Sequence, residues 1–151
     1  MKRADKIPIH FFLEDIFVPF TQKPALRKWI ISTIKAEGAT LETLNFIFGT
    51  DEYLLQINQQ YLQHDDYTDI ITFDNSEQPK CINGDIFISY ERVKDNAAER
   101  HIKPREELHR IMIHGVLHLL GYKDKTKAEK QLMRQKEAQY LIEAPKLGNV
   151  L

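Results

Sequence analysis

Two histidines four residues apart, His114 and His118, offer the clearest chemistry in this sequence, because imidazole nitrogens bind borderline divalent metals. In an α-helix this spacing places both rings on one face, about 6 Å apart along the axis. Gly121 can end such a helix with a positive φ, and the returning chain would bring Asp124 towards the same face. Three protein ligands with an open fourth position are typical of a catalytic zinc site. The zincin-like pattern HxxxHxxGxxD therefore predicts one Zn²⁺ per chain, with Ni²⁺ or a similar ion as the alternative.

The residues around the two histidines are apolar on nearly every side of the helix, which indicates a buried helix. These are Ile111, Met112, Ile113, Val116, Leu117, Leu119 and Leu120. Burying an imidazole without a partner costs about 1–3 kcal/mol, so either a metal ion or a polar network must satisfy the rings.

The same spacing occurs in the long zinc-protease pattern HExxHxxGxxH, which is also known with Asp in the last position. Gly115 stands where that pattern has its glutamate. The general base of a protease is therefore missing from its usual place, which argues against peptide hydrolysis. A glycine here either leaves space for a substrate or allows close packing of the helix.

The composition indicates one ordinary globular domain, residues 1–151, with 42% hydrophobic and 28% charged residues. The formal charge is −1, so any binding of nucleic acid must depend on a local basic patch. The single cysteine, Cys81, excludes an internal disulfide. The charged start, Met1–Lys6, does not resemble a signal peptide, and no apolar run is long enough to span a membrane, so we expect a cytoplasmic protein.

Apolar spacing, prolines and glycines predict four strands and five helices that do not alternate strictly. The strands are Ile7–Leu13, Leu41–Phe48, Ile70–Phe73 and Gly84–Ser89, with a polar loop at 64–69 and a connector at 75–83. The helices are Pro24–Glu37, one capped by Thr50 or Asp51 and reaching Leu62, Tyr90–His101, Pro104 to about Gly121, and one capped by Thr126 and reaching Ile142. This pattern favours an α+β fold, with helices flanking a small mixed sheet and the metal-binding helix at its centre.

A run of basic residues follows the histidines, and His109 precedes them. The run comprises Lys123, Lys125, Lys127, Lys130, Arg134 and Lys136. Such a run is usually a solvated helix face, but beside a hydrolytic metal it could guide a phosphate backbone. We expect His109 to be a solvated residue on another face of its helix.

Several motifs in order resemble the YbeY family, bacterial endoribonucleases that act in ribosomal RNA maturation. The resemblance covers most of the chain and is best from 53 to 133. The family motif HGxLHLxGYDH matches at His114, Gly115, Leu117, His118, Leu119, Gly121 and Tyr122. Asn58 and Tyr61, Thr68-Asp69 with Phe73, and Gly84-Asp85-Ile86 with Ser89 match further family segments.

The resemblance implies metal-dependent cleavage of single-strand-type RNA. It further implies that the enzyme acts in 3′-end processing of small-subunit ribosomal RNA and in ribosome quality control. The implied partners are ribosomal RNA and the small ribosomal subunit. Asp124 stands where the family has its third histidine, and Asp is a competent zinc ligand. Leu62 replaces a family arginine that is associated with activity on RNA.

The groups that would assist catalysis stay open at this point. His64, Arg92 and Arg110 are candidates to contact phosphate in place of the missing arginine. Asp69 and Asp85 are candidates to orient a ligand imidazole, although for Asp85 a local structural role is favoured. Two other functions also stay open: a ribosome-assembly factor whose metal is chiefly structural, and a metallopeptidase-like hydrolase.

Overall fold

The computed structural model describes residues 7–20, 22–64 and 66–146, and the expectations for Met1–Lys6 and for Asp65 lie outside these ranges. Four strands are formed: β1 (Ile9–Leu13), β2 (Thr40–Gly49), β3 (Ile70–Asp74) and β4 (Cys81–Ser89). Five α-helices accompany them: α1 (Lys23–Ala36), α2 (Asp51–Ile57), α3 (Tyr90–Arg100), α4 (Pro104–Leu119) and α5 (Lys127–Leu141). A short π-helical turn, Asn58–Leu62, extends α2.

The four strands form one mixed sheet in the order β1-β2-β4-β3. β1 pairs with β2 and β2 with β4 in parallel, whereas β3 pairs with β4 antiparallel. The predicted α+β class with a small mixed sheet is confirmed. The connector is shorter than predicted, because Cys81, Ile82 and Asn83 already pair with β2 and belong to β4.

Helix α4 lies at the centre of the fold and contacts α1, α3, α5, β3 and β4. Pro104 occupies its first turn, and Glu106 accepts a hydrogen bond from the backbone N–H of Lys103, so the helix begins where proline and acidic residues favour it. Ile111, Met112 and Val116 are at most 2% exposed. The apolar residues of α4 therefore bury it in the core.

Gly115 allows α4 to approach the sheet closely. A β-carbon built on Gly115 would lie 2.9 Å from Cδ1 of Ile70 and 3.0 Å from Cδ1 of Ile86. Of the two roles considered for this glycine, the geometry therefore favours close helix packing. Because Gly115 faces the sheet, His114 and His118 lie towards another side of the helix.

The expectation that His109 is solvated is wrong. The residue is 8% exposed, and its ring packs edge-on against Trp29, with 5.5 Å between the ring centroids. Burial lowers the pKa of His109 to about 4, and the nearby positive charge of Arg105 acts in the same direction. The cause is the crossing of α1 and α4, which brings Trp29 against a face of α4 that looks polar in the local sequence.

We expect His109 to make folding stability depend on pH. Its folded pKa of about 4 lies below the unfolded value of about 6.5, so the unfolded chain binds the proton more tightly. The stabilisation is therefore complete above pH 6.5 and is lost as the pH falls through 4, by up to about 3 kcal/mol. Urea titrations should show that the free energy of unfolding declines less between pH 7 and pH 4 in His109→Leu than in the wild type. An equal decline in His109→Leu and in the exposed-histidine control His10→Leu would contradict this assignment.

Candidate metal centre

The last turns of α4 present His114 and His118 to each other. Their Nε2 atoms are 3.0 Å apart, and the two rings meet nearly at right angles, with centroids separated by 4.6 Å. Both side chains are partly exposed, at 14% and 25%. The histidine pair therefore lies at the border between core and solvent, where an ion could reach it.

The turn after α4 returns the chain to the histidines, as predicted from Gly121. Gly121 has a φ of 109°, and its N–H donates to the carbonyl of His118. The N–H of Tyr122 donates to the carbonyl of Leu117, which closes the helix end. Asp124 then places its Oδ2 3.3 Å from Nε2 of His118 and 3.4 Å from Nε2 of His114.

The three donor atoms have the spacing that a small divalent metal requires. Their separations are 3.0, 3.3 and 3.4 Å. Metal–ligand bonds of about 2.0–2.1 Å at tetrahedral angles place ligand atoms about 3.4 Å apart. Without a cation or a shared proton, the imidazole lone pairs and the carboxylate would repel one another. His114, His118 and Asp124 thus form a group that could bind a metal ion.

Glu137, which the sequence analysis did not single out, supports this group from α5. Its Oε2 lies 2.5 Å from Nδ1 of His114. An ionised carboxylate only accepts hydrogen bonds, so Nδ1 carries the proton and Nε2 keeps its lone pair for a metal. An available signal was the spacing of Met133, Glu137 and Tyr140, which places an acid on the buried stripe of α5.

Glu137 is itself held by a buried ionic network. Arg110 approaches Glu137 at 3.4 Å and donates two hydrogen bonds to Glu107, at 2.9 and 2.7 Å. The Glu107 side chain is fully buried, and Arg100 also approaches it, at 3.5 Å. The hydrogen bonds to Glu107 raise the pKa of the Arg110 guanidinium, although burial opposes the shift. The Arg110 guanidinium therefore remains charged at physiological pH.

The other predicted residues lie in different surroundings. Asp69 is half-buried, and its negative charge also raises the pKa of Arg110, which places it near the network. Arg92 is paired with Asp51 at 3.0 Å. His64 is exposed, and its backbone N–H donates to the carbonyl of Asn58. Asp85 accepts hydrogen bonds from Asn45 and Asn75, which agrees with the structural role favoured for it.

A cleft of about 220 Å³ adjoins the donor group. It is lined by Arg100, Arg110, His114, Asp124, Lys130, Met133, Arg134 and Glu137. Four of these side chains are cationic. Three potential metal ligands beside a basic cleft are an arrangement typical of a metal-dependent hydrolase that acts on an anionic substrate.

Comparisons with known proteins identify the family. The model of the family described as Endoribonuclease YbeY matches residues 14–144, and the chain belongs to this family. A Cytophaga hutchinsonii protein named Endoribonuclease YbeY is 54% identical over 129 residues, which cover 85% of this chain and 90% of the relative. A protein of the same name from Amoebophilus asiaticus is 47% identical over 137 residues, covering 91% and 93%.

A solved structure agrees with this assignment. The solution structure of a Thermotoga maritima protein is similar with a TM-score of 0.66 and 27% identity, and the match covers 89% of this chain and 87% of that protein. No helix among the described residues is long and apolar enough to cross a membrane.

Glu137→Gln should weaken metal binding about 10–100-fold. A neutral amide holds the His114 ring less firmly, and the substitution removes the negative charge next to Nδ1 of that ring. Calorimetric titration of the metal-free protein with Zn²⁺ measures this affinity, and circular dichroism confirms folding. Glu143→Gln, an exposed acid just beyond α5, is the matched control and should bind as the wild type does. Equal affinities in all three proteins would show that Glu137 does not support the site.

Proposed function

We propose that this chain is a zinc-dependent endoribonuclease, acting as a single domain, and that His114, His118 and Asp124 hold the ion. The observation that carries the proposal is the donor triangle of 3.0–3.4 Å at the end of α4, beside a basic cleft. Family membership supplies the substrate class, since its curated relatives are named endoribonucleases. Another borderline ion such as Ni²⁺ would fit the same donors.

The chain's own residues prepare the site for phosphodiester cleavage. A bound ion supplies a Lewis acid for a phosphoryl oxygen and lowers the pKa of water to about 7. Glu137 fixes the ring of His114 and strengthens it as a donor. Asp124, with 39% of its side chain exposed, leaves the site accessible from the cleft.

The expected biological substrate is ribosomal RNA, in 3′-end maturation of the small-subunit RNA and in ribosome quality control in the cytoplasm. The motif resemblance supports this part of the proposal, and the family's name supports the cleavage of RNA. The partner implied is the small ribosomal subunit.

The alternative functions are less well supported. A structural zinc is held by four protein ligands in a closed site, whereas three donors of the described part of the chain meet here at the edge of a cleft. Leu62, in place of the family arginine, remains the feature that favours an assembly factor. A peptidase would need a base after the first histidine, and Gly115 instead packs against Ile70 and Ile86.

Elemental analysis of the purified protein should find about one zinc or similar ion per chain. His114→Ala should lose both the ion and the cleavage of an RNA that contains the 3′ region of the small-subunit precursor. His10→Ala, which removes an exposed histidine from β1, should keep both.

Retention of a full metal equivalent by His114→Ala would remove the site from the proposal. Tight binding of the metal-loaded wild type to small ribosomal subunits without any cleavage would favour the assembly role instead.

A further inference from the structure

Three charged groups that line the cleft and the buried Glu107 beneath them already neutralise one another. Arg110 forms ion pairs with Glu107 and Glu137, and Arg100 also lies 3.5 Å from Glu107. The two cations and two anions sum to zero. Arg110, the sequence-predicted candidate for contacting phosphate, is therefore already bound within the protein.

Two further cations line the same cleft without such compensation. Lys130 and Arg134 lie one turn apart on α5, both are exposed, and both border the cleft that contains His114 and Asp124. Within residues 7–20, 22–64 and 66–146, neither head group has an ion-pair or hydrogen-bond partner. Residues four apart on a helix are neighbours on its surface, so the two charges act on the same region.

Lys136, in the same basic run, is not equivalent to this pair. Lys136 donates to Glu37 at 3.1 Å and is half-buried against Tyr122 and Tyr140. It therefore has an internal role. Within this run, Lys136 is held by an internal contact, whereas Lys130 and Arg134 are exposed and border the cleft.

We infer that Lys130 and Arg134 form a phosphate-binding subsite that holds the RNA backbone beside the cleaved phosphodiester. This inference rests on the proposed function and extends it. Arginine offers a planar fork for phosphate oxygens and lysine a mobile point charge, so the pair suits adjacent backbone phosphates without reading the bases. The pair also supplies the positive charge that Leu62 cannot provide.

The test is the double variant Lys130→Gln, Arg134→Gln. Its affinity for a 2′-O-methyl single-stranded oligoribonucleotide should fall about tenfold at physiological salt, measured by fluorescence anisotropy with the metal-loaded protein. Each phosphate contact with a single strand contributes about 0.7 to the slope of log K against log salt. Because the variant loses two such contacts, its slope should be shallower by about 1.4. With cleavable RNA, KM should rise more than kcat falls, and metal content should stay unchanged.

The matched control is Lys28→Gln, Lys35→Gln, which removes the same net charge from exposed positions of α1. It should keep the wild-type affinity and salt slope. If both double variants lose affinity equally, or neither does, the subsite is overturned. If the wild type does not cleave RNA but its binding depends on Lys130 and Arg134, the subsite stands and the proposed enzymatic function fails.

Discussion

His114 donates its Nδ1 proton to Glu137 across 2.5 Å, and this bond joins α4 to α5 where the three donor atoms converge. The carboxylate behind the ring fixes both its tautomer and its rotation. Glu137 is in turn held by Arg110, and Arg110 by the fully buried Glu107. Because buried charges are stable only when they are paired, the geometry of the candidate metal site and the integrity of the helical core depend on the same contacts.

The position of α4 results from two close approaches to the sheet. Gly115 lets the helix settle against Ile70 and Ile86, and Leu119 reaches the space left by Gly84 on β4. The turn that carries Asp124 is anchored separately, because the Tyr122 hydroxyl donates to Glu37 at 2.6 Å. Tyr140 and Lys136 from α5 donate to the same carboxylate. Partial burial raises the pKa of the Glu37 carboxyl, but these donors outweigh it, and the pKa is lowered. Glu37 therefore carries a negative charge.

Local spacing was sufficient to predict the number and order of the strands and α-helices and the approach of Asp124 to the two histidines. The last of these follows from helix periodicity and from one glycine with positive φ, both of which act over a few residues. The roles of Glu137 and His109 could not be predicted in this way. Glu137 meets His114 across 23 residues, and His109 meets Trp29 only because α1 and α4 cross. The start of β4 was missed because its pairing with β2 outweighs a sequence that looks like a loop.

The ionic network also constrains how this chain can change through evolution. Arg100, Glu107, Arg110 and Glu137 come from three helices, yet each satisfies the charge of another. Losing Arg110 would leave the fully buried Glu107 with only one cationic partner among the described residues, Arg100, whose side chain is 52% exposed. Breaking a buried ion pair costs about 3–5 kcal/mol, which is a large fraction of the stability of a small domain. Apolar residues can replace one of these buried ion pairs only if both residues of the pair are replaced together. Among homologous sequences these positions should therefore covary as a set, although they are far apart in the chain.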